Sequence, residues 1–216
     1  MTDETLSATA VLFDMDGTLI DSTAAVARVW GRFADLFDLD VETILATSHG
    51  VRMVETVQRH APAGTDIAAV VAELSAAELL DEEGIVALPG AAEFLASLPA
   101  ERVALVTSAS RELAISRMAA AGLPMPAVLV TADDVDAGKP QPDCYLLAAR
   151  RLGVEAADAV VFEDADAGIR AGLASGARVV VVGDLVSEAT AGLTRVADYR
   201  GVTATPGAGG MTLRFV

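Results

Sequence analysis

Cysteine occurs once in the chain, at Cys144, lysine once, at Lys139, and tryptophan once, at Trp30. A single cysteine excludes an intramolecular disulfide and fits a reducing compartment. No apolar run approaches the roughly 18 residues that a membrane span needs. The first residues, Met1-Thr2-Asp3-Glu4, lack the charged-then-apolar pattern of a secretory signal. The expectation is a cytoplasmic protein. Basic residues are scarce: 15 Lys and Arg stand against 31 Asp and Glu, a formal charge of −16. With no basic run, neither nucleic acid nor an anionic membrane is an expected partner. An anionic substrate is not excluded, because a few cations or a metal ion reverse the field locally.

What the chain does have is apolar material: 53% of its 216 residues are hydrophobic and 21% charged, enough to bury a core. Short apolar runs end repeatedly in polar residues: Ala10–Phe13 before Asp14, Val103–Val106 before Thr107, Ala127–Val130 before Thr131, Ala159–Phe162 before Glu163, and Val179–Val182 before Gly183. Such runs suit strands buried on both faces of a parallel sheet. Helical patterns lie between them, at Gly90–Leu98, Arg111–Ala121, Asp143–Leu152 and Ala165–Ser175. The alternation predicts an α/β fold, a Rossmann-like doubly wound parallel sheet. Ligands of such sheets bind at the carboxyl ends of the strands, where this sequence places its polar residues.

One stretch breaks the rhythm. From Ser22 to Glu83 no strand is legible; Ser22 can cap a helix running to Phe37, and Asp66 can open another. The expected organisation is an α/β core over 1–21 and 84–216, with an inserted α-helical cap domain over 22–83. The tail, Thr203–Gly210, reads as a loop or hairpin before a last strand over Met211–Val216.

Four segments carry chemistry. In Phe13-Asp14-Met15-Asp16-Gly17-Thr18, a buried strand runs into two carboxylates one residue apart. Alternate side chains of an extended segment point the same way, so Asp14 and Asp16 can face one site. Like charges this close repel, and a divalent cation or cationic neighbour would relieve them. Glu163-Asp164 is a second acidic pair at a strand end; with Asp14 and a backbone carbonyl near Asp16 it would make an oxygen-rich site suited to Mg²⁺. Taken alone, that pair fits equally well as negative charge at a helix N-terminus. Gly138-Lys139-Pro140 presents the only lysine from a loop, in a chain that uses arginine for every other cation. Thr107-Ser108 ends a strand ahead of a helix, where hydroxyls and backbone N–H groups form an anion site or simply cap.

In this order the four segments resemble the motifs of the haloacid dehalogenase (HAD) superfamily over nearly the whole chain. The Ser22–Glu83 insert looks like the cap of the subfamily that includes β-phosphoglucomutase. Ser48-His49-Gly50-Val51-Arg52, Leu88-Pro89-Gly90-Ala91, Val130-Thr131-Ala132-Asp133-Asp134-Val135 and Val161-Phe162-Glu163-Asp164-Ala165 resemble glycerol-phosphate and 2-deoxyglucose-6-phosphate phosphatases within it. Asp166 departs from the small uncharged residue common there and adds a carboxylate near the metal loop.

The resemblance implies a Mg²⁺-dependent phosphatase of small phosphorylated sugars or polyols, working through an aspartyl-phosphate. Asp14 would be the nucleophile and a metal ligand. Asp16 would be the acid/base, its carbonyl on the metal. Asp164 would bind the metal directly, and Glu163 directly or through water. Thr107, Ser108 and Lys139 would hold phosphoryl oxygens, while His49 and Arg52 of the insert would bind substrate hydroxyls. His60 reads as a helix-end residue and Cys144 as a small packed one. The alternatives are a β-phosphoglucomutase-type mutase, a dehalogenase, disfavoured by the presence of Asp16, and a non-catalytic phosphosugar-binding protein.

Overall fold

The computed structural model describes residues 4–207 and 209–216; Met1, Thr2 and Asp3, read above as lacking a secretory-signal pattern, lie outside the described residues, as does Ala208 of the tail. The strands are β1 (Glu4–Ala8), β2 (Ala10–Phe13), β3 (Ile20–Asp21), β4 (Val86–Ala87), β5 (Val103–Val106), β6 (Val128–Val130), β7 (Ala159–Glu163), β8 (Arg178–Val182), β9 (Thr194–Val196), β10 (Val202–Gly207) and β11 (Gly210–Phe215). The helices are α1 (Thr23–Phe37), α2 (Val41–Ser48), α3 (Met53–His60), α4 (Ile67–Leu79), α5 (Ala91–Ser97), α6 (Arg111–Ala120), α7 (Asp143–Leu152) and α8 (Asp166–Ala174).

Six strands form one parallel sheet in the order β6-β5-β2-β7-β8-β9. The period-two alternation of strand side chains divides its residues between two cores. Val11 and Phe13 of β2, Val160 and Phe162 of β7, and Val180 and Val182 of β8 enter one core. Ala10 and Leu12, Val161, and Val179 and Val181 enter the other. The second core is closed by Cys144, Tyr145 and Ala148 of α7 and by Ile169 and Ala171 of α8. The first is closed by Phe94 of α5 and Met118 of α6, and by Met211, Leu213 and Phe215 of β11. Each fully buried Val, Leu, Ile, Phe or Met side chain among them contributes about 1.5–3 kcal/mol. The doubly wound parallel sheet expected from the apolar runs is the observed core.

Residues 23–79 are helical, α1 to α4, and share a core of their own built on Val29, Trp30, Phe33, Ile44, Val57 and Leu74. Two short strands flank this segment and pair antiparallel, Ile20 with Ala87 and Asp21 with Val86. Asp66 caps α4 as expected, accepting from the Ala69 N–H at 3.1 Å. Ser22 precedes α1 but makes no side-chain cap; its hydroxyl is spent elsewhere. The tail is a hairpin, β10–β11, rather than a loop, and it pairs with β1 in a three-stranded antiparallel sheet. No helix of the described residues is long and apolar enough to cross a membrane.

Candidate active site

The carboxyl ends of the central strands converge on a cleft of about 620 Å³ between the sheet and the helical segment, lined by Asp14, Asp16, His49, Arg52, Thr107 and Ser108 among others. Asp14 follows β2 directly, and its N–H still donates to the Phe162 carbonyl of the neighbouring strand at 3.1 Å. The chain then turns tightly: the Leu19 N–H reaches back to the Met15 carbonyl, and Gly17 adopts a positive φ of 78°. A Cβ at Gly17 would stand 2.0 Å from Asp164 Oδ2. Glycine therefore lets the backbone pass beside the Asp164 carboxylate. Thr18 Oγ1 donates to the other oxygen of Asp164 at 3.0 Å.

Lys139 Nζ donates to Asp14 Oδ1 at 2.5 Å, to Glu163 Oε1 at 2.7 Å and to the Val106 carbonyl at 3.4 Å. Its side chain is 1% exposed. Glu163 is fully buried at the end of β7, and four donors surround it. Oε1 accepts from Lys139 and from the Tyr145 hydroxyl, and Oε2 accepts from the N–H groups of Asp164 and Ala165. Those donors fill the four acceptor positions of a carboxylate. Gly168 makes this packing feasible, since a Cβ there would meet Glu163 Oε1 at 1.6 Å.

Charge within this cluster does not balance. Asp14, Glu163 and Asp164 each offer an oxygen within 4.8 Å of the others, against the single ammonium of Lys139. Three carboxylates and one ammonium leave two surplus negative charges in a buried site. Burial raises the pKa of Asp14 well above the carboxylate range; Lys139 opposes the rise, while Glu163 and Asp164 add to it. Burial, reinforced by Glu163, pushes Asp164 up to about 8. Burial disfavours the Lys139 ammonium, but Asp14 and Glu163 outweigh it and hold its pKa above the usual lysine value. A divalent cation on hard oxygen donors carries the missing two charges, so these residues fit one.

Asp16 stands at the cleft rather than in the cluster. Its Oδ1 accepts from the Ser22 hydroxyl at 2.6 Å and from Arg117 Nη1 at 2.9 Å. Thr107 is buried at the end of β5, and its hydroxyl accepts from the Ala109 N–H at 3.1 Å. Ser110, not Ser108, caps α6. The Ser108 hydroxyl instead donates to the Gly50 carbonyl at 2.7 Å, linking the core to the loop after α2. His49, from that loop, has Nδ1 3.2 Å from the Leu45 carbonyl. The Arg52 guanidinium pairs with Glu55 and donates to the Asp136 carbonyl at 3.0 Å. It thus ties the helical segment to the loop that carries Lys139. Asp166 turns away from the cluster: its oxygens take Arg170 Nε and the Ser187 hydroxyl, both at 2.6 Å. His60 ends α3 with Nε2 2.9 Å from the Thr47 hydroxyl, and Cys144 is buried.

Sequence reasoning missed Tyr145, Ser22, Glu78 and Arg117. Arg117 had a signal: with Leu113, Ala114 and Met118 it shares the buried stripe of α6, where a cation needs partners.

A family model described as haloacid dehalogenase-like hydrolase matches residues 8–176. Hexitol phosphatase A of Escherichia coli is 46% identical over 176 residues, which cover 79% of this chain and 81% of that protein. Glycerol-1-phosphate phosphohydrolase 1 of Saccharomyces cerevisiae is 36% identical over 187 residues, covering 81% and 74% respectively. Among solved structures, CbbY from Rhodobacter sphaeroides in complex with phosphate superposes with a TM-score of 0.73 at 29% identity, covering 87% of this chain and 92% of that one. With the parallel sheet and the acidic cluster at its strand ends, these findings lead to one assignment: the chain belongs to the haloacid dehalogenase-like hydrolases.

Proposed function

We propose that this enzyme is a Mg²⁺-dependent phosphatase that hydrolyses the monoester of a small sugar or polyol phosphate through an aspartyl-phosphate on Asp14. The observation that carries the reading is Lys139, held between Asp14 and Glu163 at the strand ends, with Asp14 itself lining a cleft large enough for a phosphorylated hexose or hexitol. The names of the relatives, a hexitol phosphatase and a glycerol-phosphate phosphohydrolase, support the substrate class.

Residues 22–83 would act as a cap over a core of residues 1–21 and 84–216; the change from sheet to a separate helical core supports those boundaries. Asp14, Asp164 and the carbonyl of Asp16 would hold the metal ion, which would supply two positive charges against the phosphoryl oxygens. Of the two roles considered for Glu163, direct or water-mediated contact with the metal, its filled carboxylate argues against direct ligation. Its direct work is to orient Lys139. Asp14 Oδ attacks phosphorus, and Asp16 gives its proton to the departing alkoxide, then takes one from the hydrolytic water. Lys139 and the backbone around Thr107 and Ser108 stabilise the transferring charge. His49 and the mouth of the cleft would meet the hydroxyls of the alcohol, with Arg52 fixing that loop.

The test is a panel of glycerol phosphates, hexitol phosphates, 2-deoxyglucose 6-phosphate and other hexose and pentose phosphates, incubated with Mg²⁺. Release of inorganic phosphate is expected. Conversion of glucose 1-phosphate to the 6-phosphate without release would select the mutase, and binding without turnover would select the non-catalytic phosphosugar-binding protein.

A further inference from the structure

Arg117 is buried against the cleft, its side chain 3% exposed, and it joins two carboxylates from separate parts of the chain. Nη1 donates to Asp16 Oδ1 at 2.9 Å, and Nη2 donates to Glu78 Oε1 at 2.8 Å. Asp16 follows β2 in the core, while Glu78 lies on α4 in the helical segment. Ser22 Oγ, from the start of α1, donates at 2.6 Å to the same Asp16 oxygen that Arg117 holds. Both donors thus converge on Oδ1 from different elements, and Oδ2 is the oxygen left to carry and pass a proton. Arginine suits this task in a way lysine does not. Its planar fork fixes two acceptors at a set angle, whereas an ammonium is a point charge on a flexible stem. The remaining nitrogen, Nε, is buried without a partner among the described residues.

We propose that Arg117 is a positioning residue: gripped by Glu78, it holds Asp16 by Oδ1 so that Oδ2 faces the leaving-group oxygen. This rests on the phosphatase reading above. In the first half-reaction, Asp14 Oδ bonds to phosphorus, the bond from phosphorus to the alkoxide oxygen breaks, and the Oδ2 proton passes to that oxygen, which leaves as the alcohol. The Asp16 carboxylate that results is paired with Arg117. In the second, a water oxygen bonds to the phosphorus of the aspartyl-phosphate as the bond from phosphorus to Asp14 Oδ breaks; the water's proton goes to Oδ2, and inorganic phosphate and the free Asp14 carboxylate result.

A misplaced acid matters only when the leaving group needs a proton. An alkyl phosphate does; p-nitrophenyl phosphate, whose phenolate leaves unaided, does not. The ratio kcat/KM covers the steps from free enzyme and substrate through the first irreversible one, so it separates the two cases without interference from hydrolysis of the intermediate. The experiment compares kcat/KM for glycerol phosphate or a hexitol phosphate with that for p-nitrophenyl phosphate in wild type, Arg117→Met, Arg117→Lys and Glu78→Gln.

We expect Arg117→Met to lose about 100-fold on the alkyl ester, through kcat rather than KM, and no more than about 5-fold on the aryl ester. Arg117→Lys recovers part of the loss, and Glu78→Gln shows the same selectivity at about 10-fold. Circular dichroism and urea unfolding verify that each variant is folded; should Arg117→Met not fold, Glu78→Gln, which keeps the guanidinium, decides. Equal losses on both esters, or no loss on either, overturn the proposal while leaving the phosphatase reading intact. A wild type inert toward both esters overturns the two together.

Discussion

Replacing Asp164 by Asn removes a carboxyl whose ionisation the cluster resists, while keeping an oxygen for the Thr18 hydroxyl. Burial and Glu163 raise the Asp164 pKa from 3.8 to about 8. A carboxyl raised in the folded state destabilises the protein above its unfolded pKa. The penalty therefore opens near pH 4, grows through neutrality and levels off above pH 8. At pH 7 the shift corresponds to about 4 kcal/mol. Proton sharing with Asp14 and water entry reduce this, so the expected gain for Asp164→Asn is about 2 kcal/mol. The assay is urea unfolding in EDTA at pH 7.5 and pH 5. The variant should be more stable than wild type at pH 7.5, with the gain falling below about 1 kcal/mol at pH 5. Saturating Mg²⁺ should reverse the order, because wild type gains about 3 kcal/mol at 100 times Kd and the variant gains less. A variant that is less stable in EDTA by the same amount at both pH values would refute the charge argument.

Lys139→Arg should lower kcat at least about 100-fold, since a longer guanidinium cannot enter a site where the side chain is 1% exposed; phosphate release measures it. Gly168→Ala should drive a methyl into Glu163 Oε1, now 1.6 Å from that position, costing about 1–3 kcal/mol in urea unfolding and misplacing Lys139. Burial works against ionisation of Asp134, but Arg151 and Thr131 prevail and bring its pKa down to about 2. That contribution is present above pH 4 and lost as pH falls through 2. Asp134→Asn should thus cost about 1 kcal/mol at pH 7 after solvent screening of the arginines, and nothing in an acid titration below pH 2.

The parallel sheet was legible because its strands are buried on both faces. Apolar runs such as Ala159–Phe162 end in a polar residue at the carboxyl edge of the sheet, where the site is built. β1 and β9 escaped notice because they are short and largely unburied; Glu4-Thr5-Leu6-Ser7 reads as polar coil until β11 pairs with it. Ser22 looked like a helix cap because its local sequence says so, yet its hydroxyl bonds Asp16, a contact that local propensity does not encode. The site divides the same way. Asp14, Glu163 and Asp164 stand at strand ends, and Lys139 stands out as the one lysine. The Arg117 bridge is different. It joins Glu78 and Asp16, residues 39 and 101 positions away, and only the packing of α4 against α6 brings them together.

The central claim is that phosphate passes through Asp14. The direct measurement mixes the enzyme and Mg²⁺ with a hexitol phosphate labelled in its phosphoryl group, quenches in acid within milliseconds and maps the label. The account predicts label in the peptide that carries Asp14, at up to one per chain, with neither label nor released phosphate in Asp14→Asn. Phosphate release with no labelled protein, or turnover by Asp14→Asn, would contradict it.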